Sequence, residues 1–144
     1  MAGKSDTYEA DLLKLYFNAT NIANVADNTA TAPATSIYVS LWTTTPTDAA
    51  TGTEVSYTGY ARVAVLRTSG GWAISGTSPT QASPVANIDF GQMTAGAGGT
   101  VVAFGVSRTI GQTTPDYFGA VSLTIGVVNG TIPRLTTAST ITED

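Results

Sequence analysis

The stretch Ser36-Ile37-Tyr38-Val39-Ser40-Leu41-Trp42-Thr43 decides the fold class. Ile37, Val39 and Leu41 alternate with Tyr38, Ser40 and Trp42, and a period of two predicts a strand over 36–43. The same period returns downstream. Tyr60–Leu66 sets Ala61, Val63 and Val65 on one side, and Val101–Arg108 alternates Val102, Phe104 and Val106 with Ala103 and Gly105. Gly70-Gly71 predicts a hairpin turn into Trp72-Ala73-Ile74. Further strands are predicted at Val85–Phe90, Asp116–Leu123, Thr124–Val128, Thr131–Leu135 and Ser139–Thr142. Between them, Thr44–Asp48 opens a loop that runs through Gly52 and Gly59. Pro79 and Pro84 bound a polar loop, and Thr94–Thr100 carries enough glycine to predict a loop as well. Short strands at this spacing predict a mainly β chain folded as an antiparallel β-sandwich, jelly-roll or Ig-like.

Upstream of residue 36 the period changes. Residues 6–17 predict one short N-terminal helix, with Asp6 as N-cap and Glu9 completing a capping box. Tyr8, Leu12, Leu15 and Tyr16 fall at helical spacing and form an apolar stripe, widened by Leu13 and Phe17. Asn18–Ala34 is a long connection of small residues. The expected organisation is therefore a helix and linker arm over residues 1–33, followed by a β-sandwich domain over 34–144. The stripe admits two readings. Either it packs on the chain's own sheet, or the arm docks on a neighbouring subunit and makes Tyr8, Leu12, Leu15 and Tyr16 a protein interface.

Composition narrows the function classes. Thr fills 26 of 144 positions, while charged residues make up 11%, against about 25% in an ordinary domain. There is no His and no Cys. Nucleophile pairs built on His or Cys, thiol redox motifs and zinc-finger sites are therefore excluded. A net charge of −4 with six scattered Lys and Arg argues against nucleic-acid binding. The opening residues lack a basic region followed by an apolar run, and no stretch is long and apolar enough to span a membrane, so synthesis in a host cytoplasm is expected.

The remaining chemical motifs are weak. Gly96-Ala97-Gly98-Gly99 lacks the Gly-Lys-Ser/Thr of a phosphate loop. Gly105–Thr109 lacks the second Gly of a nucleophile elbow. Glu54, Asp89 and Asp116 could supply a glycosidase pair only if the fold brought two of them together. Asp48 and Glu54 flank one loop without the alternating acids of a calcium site. Tyr38, Trp42, Tyr57, Tyr60 and Trp72 could stack on sugars, but at strand spacing such residues ordinarily pack a sheet. No enzyme activity, cofactor or metal is expected.

Ala34–Asp48, followed by Gly52-Thr53-Glu54-Val55 and Gly59-Tyr60-Ala61-Arg62, resembles a widespread family of tailed-phage structural proteins. The helix at the start, Phe104-Gly105-Val106, Phe118-Gly119-Ala120 and the closing Ser139-Thr140-Ile141-Thr142 extend the resemblance over nearly the whole chain. It implies a small β-rich virion protein, and makes Pro46, Asp48, Glu54, Val55, Tyr60 and Arg62 a family-motif loop. Members are described as tail fibre proteins, and similar proteins serve as capsid decoration (cement) subunits. With no repeat or coiled-coil shaft in the chain, the resemblance implies first a decoration protein on the capsid surface. Its partners would be the major capsid protein and its own copies, as a homotrimer. The alternative is a tail-fibre or other tail-associated module, for which a host glycan becomes a possible ligand.

Overall fold

A computed structural model describes residues 4–29, 32–47, 52–77 and 79–143. Among the described residues one helix, α1 (Asp6–Asn18), precedes eleven strands: β1 (Ser36–Thr44), β2 (Thr53–Glu54), β3 (Ser56–Thr58), β4 (Val63–Leu66), β5 (Trp72–Ser75), β6 (Thr80–Pro84), β7 (Ile88–Asp89), β8 (Ala95–Ser107), β9 (Tyr117–Val127), β10 (Arg134–Leu135) and β11 (Ile141–Glu143). All pairings are antiparallel, as the sequence predicts. In the larger sheet, β8 lies between β1 (Leu41 opposite Phe104) and β9 (Gly105 opposite Phe118). The other side of β1 is shared, with β4 on its first half and β2 on its second. β3 pairs with the start of β8. A smaller sheet runs β11-β6-β5, and β7 pairs with β10.

Several boundaries differ from the sequence reading, each for a local reason. The N-cap is Ser5 and not Asp6. Its extended backbone turns Oγ toward the Tyr8 N–H, which donates to it at 3.4 Å, so the helix starts one residue before the capping-box pattern implies. The loop expected at Thr94–Thr100 is strand from Ala95 onward. Its glycines permit close approach, since a Cβ on Gly98 would stand 2.1 Å from the Val127 carbonyl oxygen, and β3 and β9 pair with this segment. The polar loop expected between Pro79 and Pro84 is β6, held between β5 and β11 with Thr80, Ala82 and Pro84 buried. The strand expected from Tyr60 begins only at Val63, and β2 and β3 occupy part of the expected loop. Asp116–Leu123 and Thr124–Val128 form one strand, β9. Its break appears as a bulge, with register passing from Ala103↔Ala120 to Val101↔Ile125.

Gly70-Gly71 marks a turn but not a hairpin. The Gly71 N–H donates to the Thr68 carbonyl at 2.9 Å, and the chain leaves β4 in one sheet to enter β5 in the other. A Cβ at Gly71 would lie 2.1 Å from the Leu66 carbonyl oxygen, so the corner requires glycine. One core lies beneath both sheets and the helix: Leu13, Phe17, Val39, Leu41, Trp72, Val101 and Val106 are all essentially inaccessible. α1 packs on β5, β6 and β11 of its own chain. Phe17 sits against Trp72 (4.7 Å between ring centroids) and Tyr117 (5.7 Å). The buried face of the helix is Glu9, Leu13 and Phe17, one turn apart, so the residues that widen the predicted stripe form its centre.

Candidate functional site

The family-motif loop folds into an internal brace. β2 sets Glu54 beside Trp42, and the Val55 N–H donates to the Leu41 carbonyl at 2.9 Å with the Val55 side chain buried. Arg62 meets the Glu54 carboxylate with both arms of its fork, Nε on Oε1 at 2.9 Å and Nη2 on Oε2 at 2.8 Å. The Tyr60 hydroxyl donates to Oε1 at 2.7 Å and accepts the Leu41 N–H at 3.0 Å. Its ring lies near Tyr57 and is parallel to Phe90. Burial, together with the Glu54 contact, pushes the Tyr60 hydroxyl far above its ordinary range, and the hydrogen bonds to Glu54 raise Arg62 further. The Arg62 side chain is 10% exposed, and its Nη1 is buried without a partner. The structure thus brings Glu54, Tyr60 and Arg62 together, with Val55 beneath them. Pro46 is buried under Gly52, where a Cβ would lie 2.8 Å from the Pro46 Cα. Asp48 lies outside the described residues.

A second polar cluster joins α1 to the start of β9. The Tyr16 hydroxyl donates to Asp116 Oδ2 at 2.8 Å. Arg108 reaches Asp116 through Nη2 at 2.6 Å and through its backbone N–H at 3.0 Å, and Gln112 donates at 2.8 Å. Burial alone would raise the Asp116 carboxyl, but the donors Arg108, Gln112 and Tyr16 hold it below the usual carboxylate range. Burial, reinforced by Asp116, raises Tyr16 strongly, and burial near Glu143 and Asp116 pushes Tyr117 up to about 12. Of the four stripe residues, Tyr8 is exposed, whereas Leu12, Leu15 and Tyr16 are half-buried and line a cleft of about 540 Å³ with Ile37 and Tyr117.

Arg67 is a residue that sequence reasoning missed. From β4's end its guanidinium donates to the carbonyls of Leu15 and Tyr16, to Asn28 Oδ1 (2.6 Å) and to the Ala34 carbonyl (3.3 Å). No basic residue occupies the last turn of α1. Arg67 supplies the positive charge that a helix C-terminus favours, from a position about 50 residues downstream. Burial lowers its pKa from the ordinary guanidinium value. The one available signal was negative: a helix with no cation in its last turn and a long connection beyond it.

The weaker motifs resolve individually. Glu54, Asp89 and Asp116 each hold a separate arginine, Arg62, Arg134 and Arg108. Trp42, Tyr57 and Trp72 are buried and so belong to packing. Among the described residues, no group of three acidic side chains is placed to hold a metal ion.

The family model described as Podophage GP4 fiber I protein gp80 matches residues 3–142. That span takes in α1 and ten of the eleven strands in full, and it agrees with the tailed-phage resemblance drawn from the sequence. No curated protein matches the chain.

Proposed function

This chain belongs to the Podophage GP4 fiber I protein gp80 family, and we propose that it serves in the virion as a tail-fibre component. The family match over nearly the whole chain carries this reading. It favours the tail over the capsid-decoration role that the absence of a shaft had suggested. The polar clusters support a structural, non-enzymatic part. The carboxylates Glu54, Asp89 and Asp116 are each spent on an arginine, and the family-motif residues Glu54, Tyr60 and Arg62 brace one loop against β1. A brace of this kind fixes shape in the low-dielectric interior, where a paired and hydrogen-bonded charge is tolerated and a lone one is not.

The test is antibody labelling of purified particles, combined with the copy number of the chain per particle. Gold confined to the tail, with a handful to a few tens of copies, is the expected result. Label spread over the head, with hundreds of copies, overturns the reading in favour of decoration.

A further inference from the structure

The larger sheet ends differently on its two sides. On the β1 side its edge is made of β4, four residues between Arg62 and Arg67, and β2, two residues that include Glu54. Short strands and flanking charge are the ordinary means of keeping an edge from pairing with another chain. On the far side the edge is β9, eleven residues long. Among the described residues β9 pairs with β8 alone, and no other backbone hydrogen bond reaches it along 118–127. From Tyr117 to Pro133 there is no charged residue, and from Tyr117 to Ile132 no proline. The bulge opposite Val102 turns Leu123 outward, 81% exposed, and beyond the strand Val128 stands 66% exposed.

We propose that β9, from Leu123 to Val127, is a self-association site at which a second copy of this chain adds its own β9 antiparallel across a two-fold axis. An edge strand with one neighbour directs half of its N–H and C=O groups away from the sheet, and an identical strand run antiparallel satisfies them reciprocally. Charge selects the occupant. Copies that each carry −4 repel one another, and they meet at least cost where neither presents an acid. Residues 90–107 and 117–133, which include the β8–β9 hairpin from its free end to the bulge, hold no charged residue. The bulge confines pairing to the segment beyond it, because β9 also contacts β11 and its first residue, Tyr117, packs against Tyr16 and Phe17. The inference rests on the two sheet edges and not on the placement of the protein in the particle. A head location would leave it standing.

Sedimentation velocity of the full chain over a concentration series tests it. The expected result is a reversible dimer that is lost in the Leu123→Lys, Gly126→Lys double variant with its circular dichroism spectrum unchanged. Both positions tolerate the change, since Leu123 is exposed and a Cβ at Gly126 meets nothing within 4 Å. The absence of Cys allows a second measurement. Pairing of 123–127 across a two-fold axis sets Thr124 of one copy opposite Gly126 of the other, so the Thr124→Cys, Gly126→Cys double variant gives an oxidised dimer, while a cysteine at exposed Thr7 on α1 gives none. A wild-type chain that stays monomeric throughout, or an oligomer that survives both lysines, overturns the proposal.

Discussion

The α1 end of the molecule and the free end of the β8–β9 hairpin are built from the same two strands by opposite means. At the α1 end, Tyr16, Arg108, Gln112 and Asp116 form a directed polar cluster, and Phe17, Trp72 and Tyr117 fill the space around it. At the free end there is no charge, and three glycines in positive φ, Gly96, Gly98 and Gly99, let the backbones of β3, β8 and β9 approach one another. One end is specified by what its side chains reach, and the other by the side chains it lacks. The first should therefore suffer from truncation and the second from enlargement.

The largest expected effect is at the α1 end. Phe17→Ala empties a fully buried position between two rings and should cost about 3–5 kcal/mol in urea unfolding. A cost below 1 kcal/mol would show that the helix is not part of the cooperative core. Arg62→Met leaves the Glu54 carboxylate beside Tyr60 without its cation. Because Glu54 keeps 26% exposure, the expected loss is roughly 2–3 kcal/mol, under the range for a fully buried pair. The double variant with Glu54→Gln should recover part of that loss, and no recovery would mean that the pair is not coupled. At the free end the direction reverses, and Gly98→Ala, which adds only a methyl group, should cost about 1–3 kcal/mol, because φ +61 and the Val127 carbonyl both oppose it.

Acid sharpens the contrast further. The folded-state pKa of Asp116 lies below its unfolded value of about 3.9, so its contribution is complete above that pH. It is lost as pH falls through the folded value, because the unfolded chain then binds the proton more readily. Asp116→Asn should flatten the fall of Tm as pH drops below about 4. An unchanged acid limb would assign acid sensitivity to other carboxylates. The smallest effect is expected at Leu123, where replacement by Ser should alter the stability of the isolated monomer by about 0.5 kcal/mol or less.

Legibility in the sequence follows the same division. β1 and the second half of β8 could be read because Ile37, Val39, Leu41, Phe104 and Val106 alternate on a face that is in fact buried. β6 and the first half of β8 could not, because Thr80–Pro84 and Ala95–Thr100 carry little hydrophobic signal and are strands only by virtue of their partners. The same applies to the site. Glu54, Tyr60 and Arg62 stood out as a unit, but that the unit faces inward depends on Leu41 and Phe90, which are remote in sequence. Arg67 was invisible because three of its four partners are main-chain carbonyls, and carbonyls leave no mark in a sequence.

The seating of α1 also fixes an order of events during synthesis. α1 is translated before its supports: β5 and β6 come some fifty residues later, and β11 later still. Lys4, just before α1, pairs with Glu143 of β11 at 3.0 Å. A helix of 13 residues is marginal in water by itself, and contacts between distant parts of a chain form slowly. On the growing chain α1 must therefore remain unsettled while the sheets assemble, and it can finish docking only after β11 has been translated.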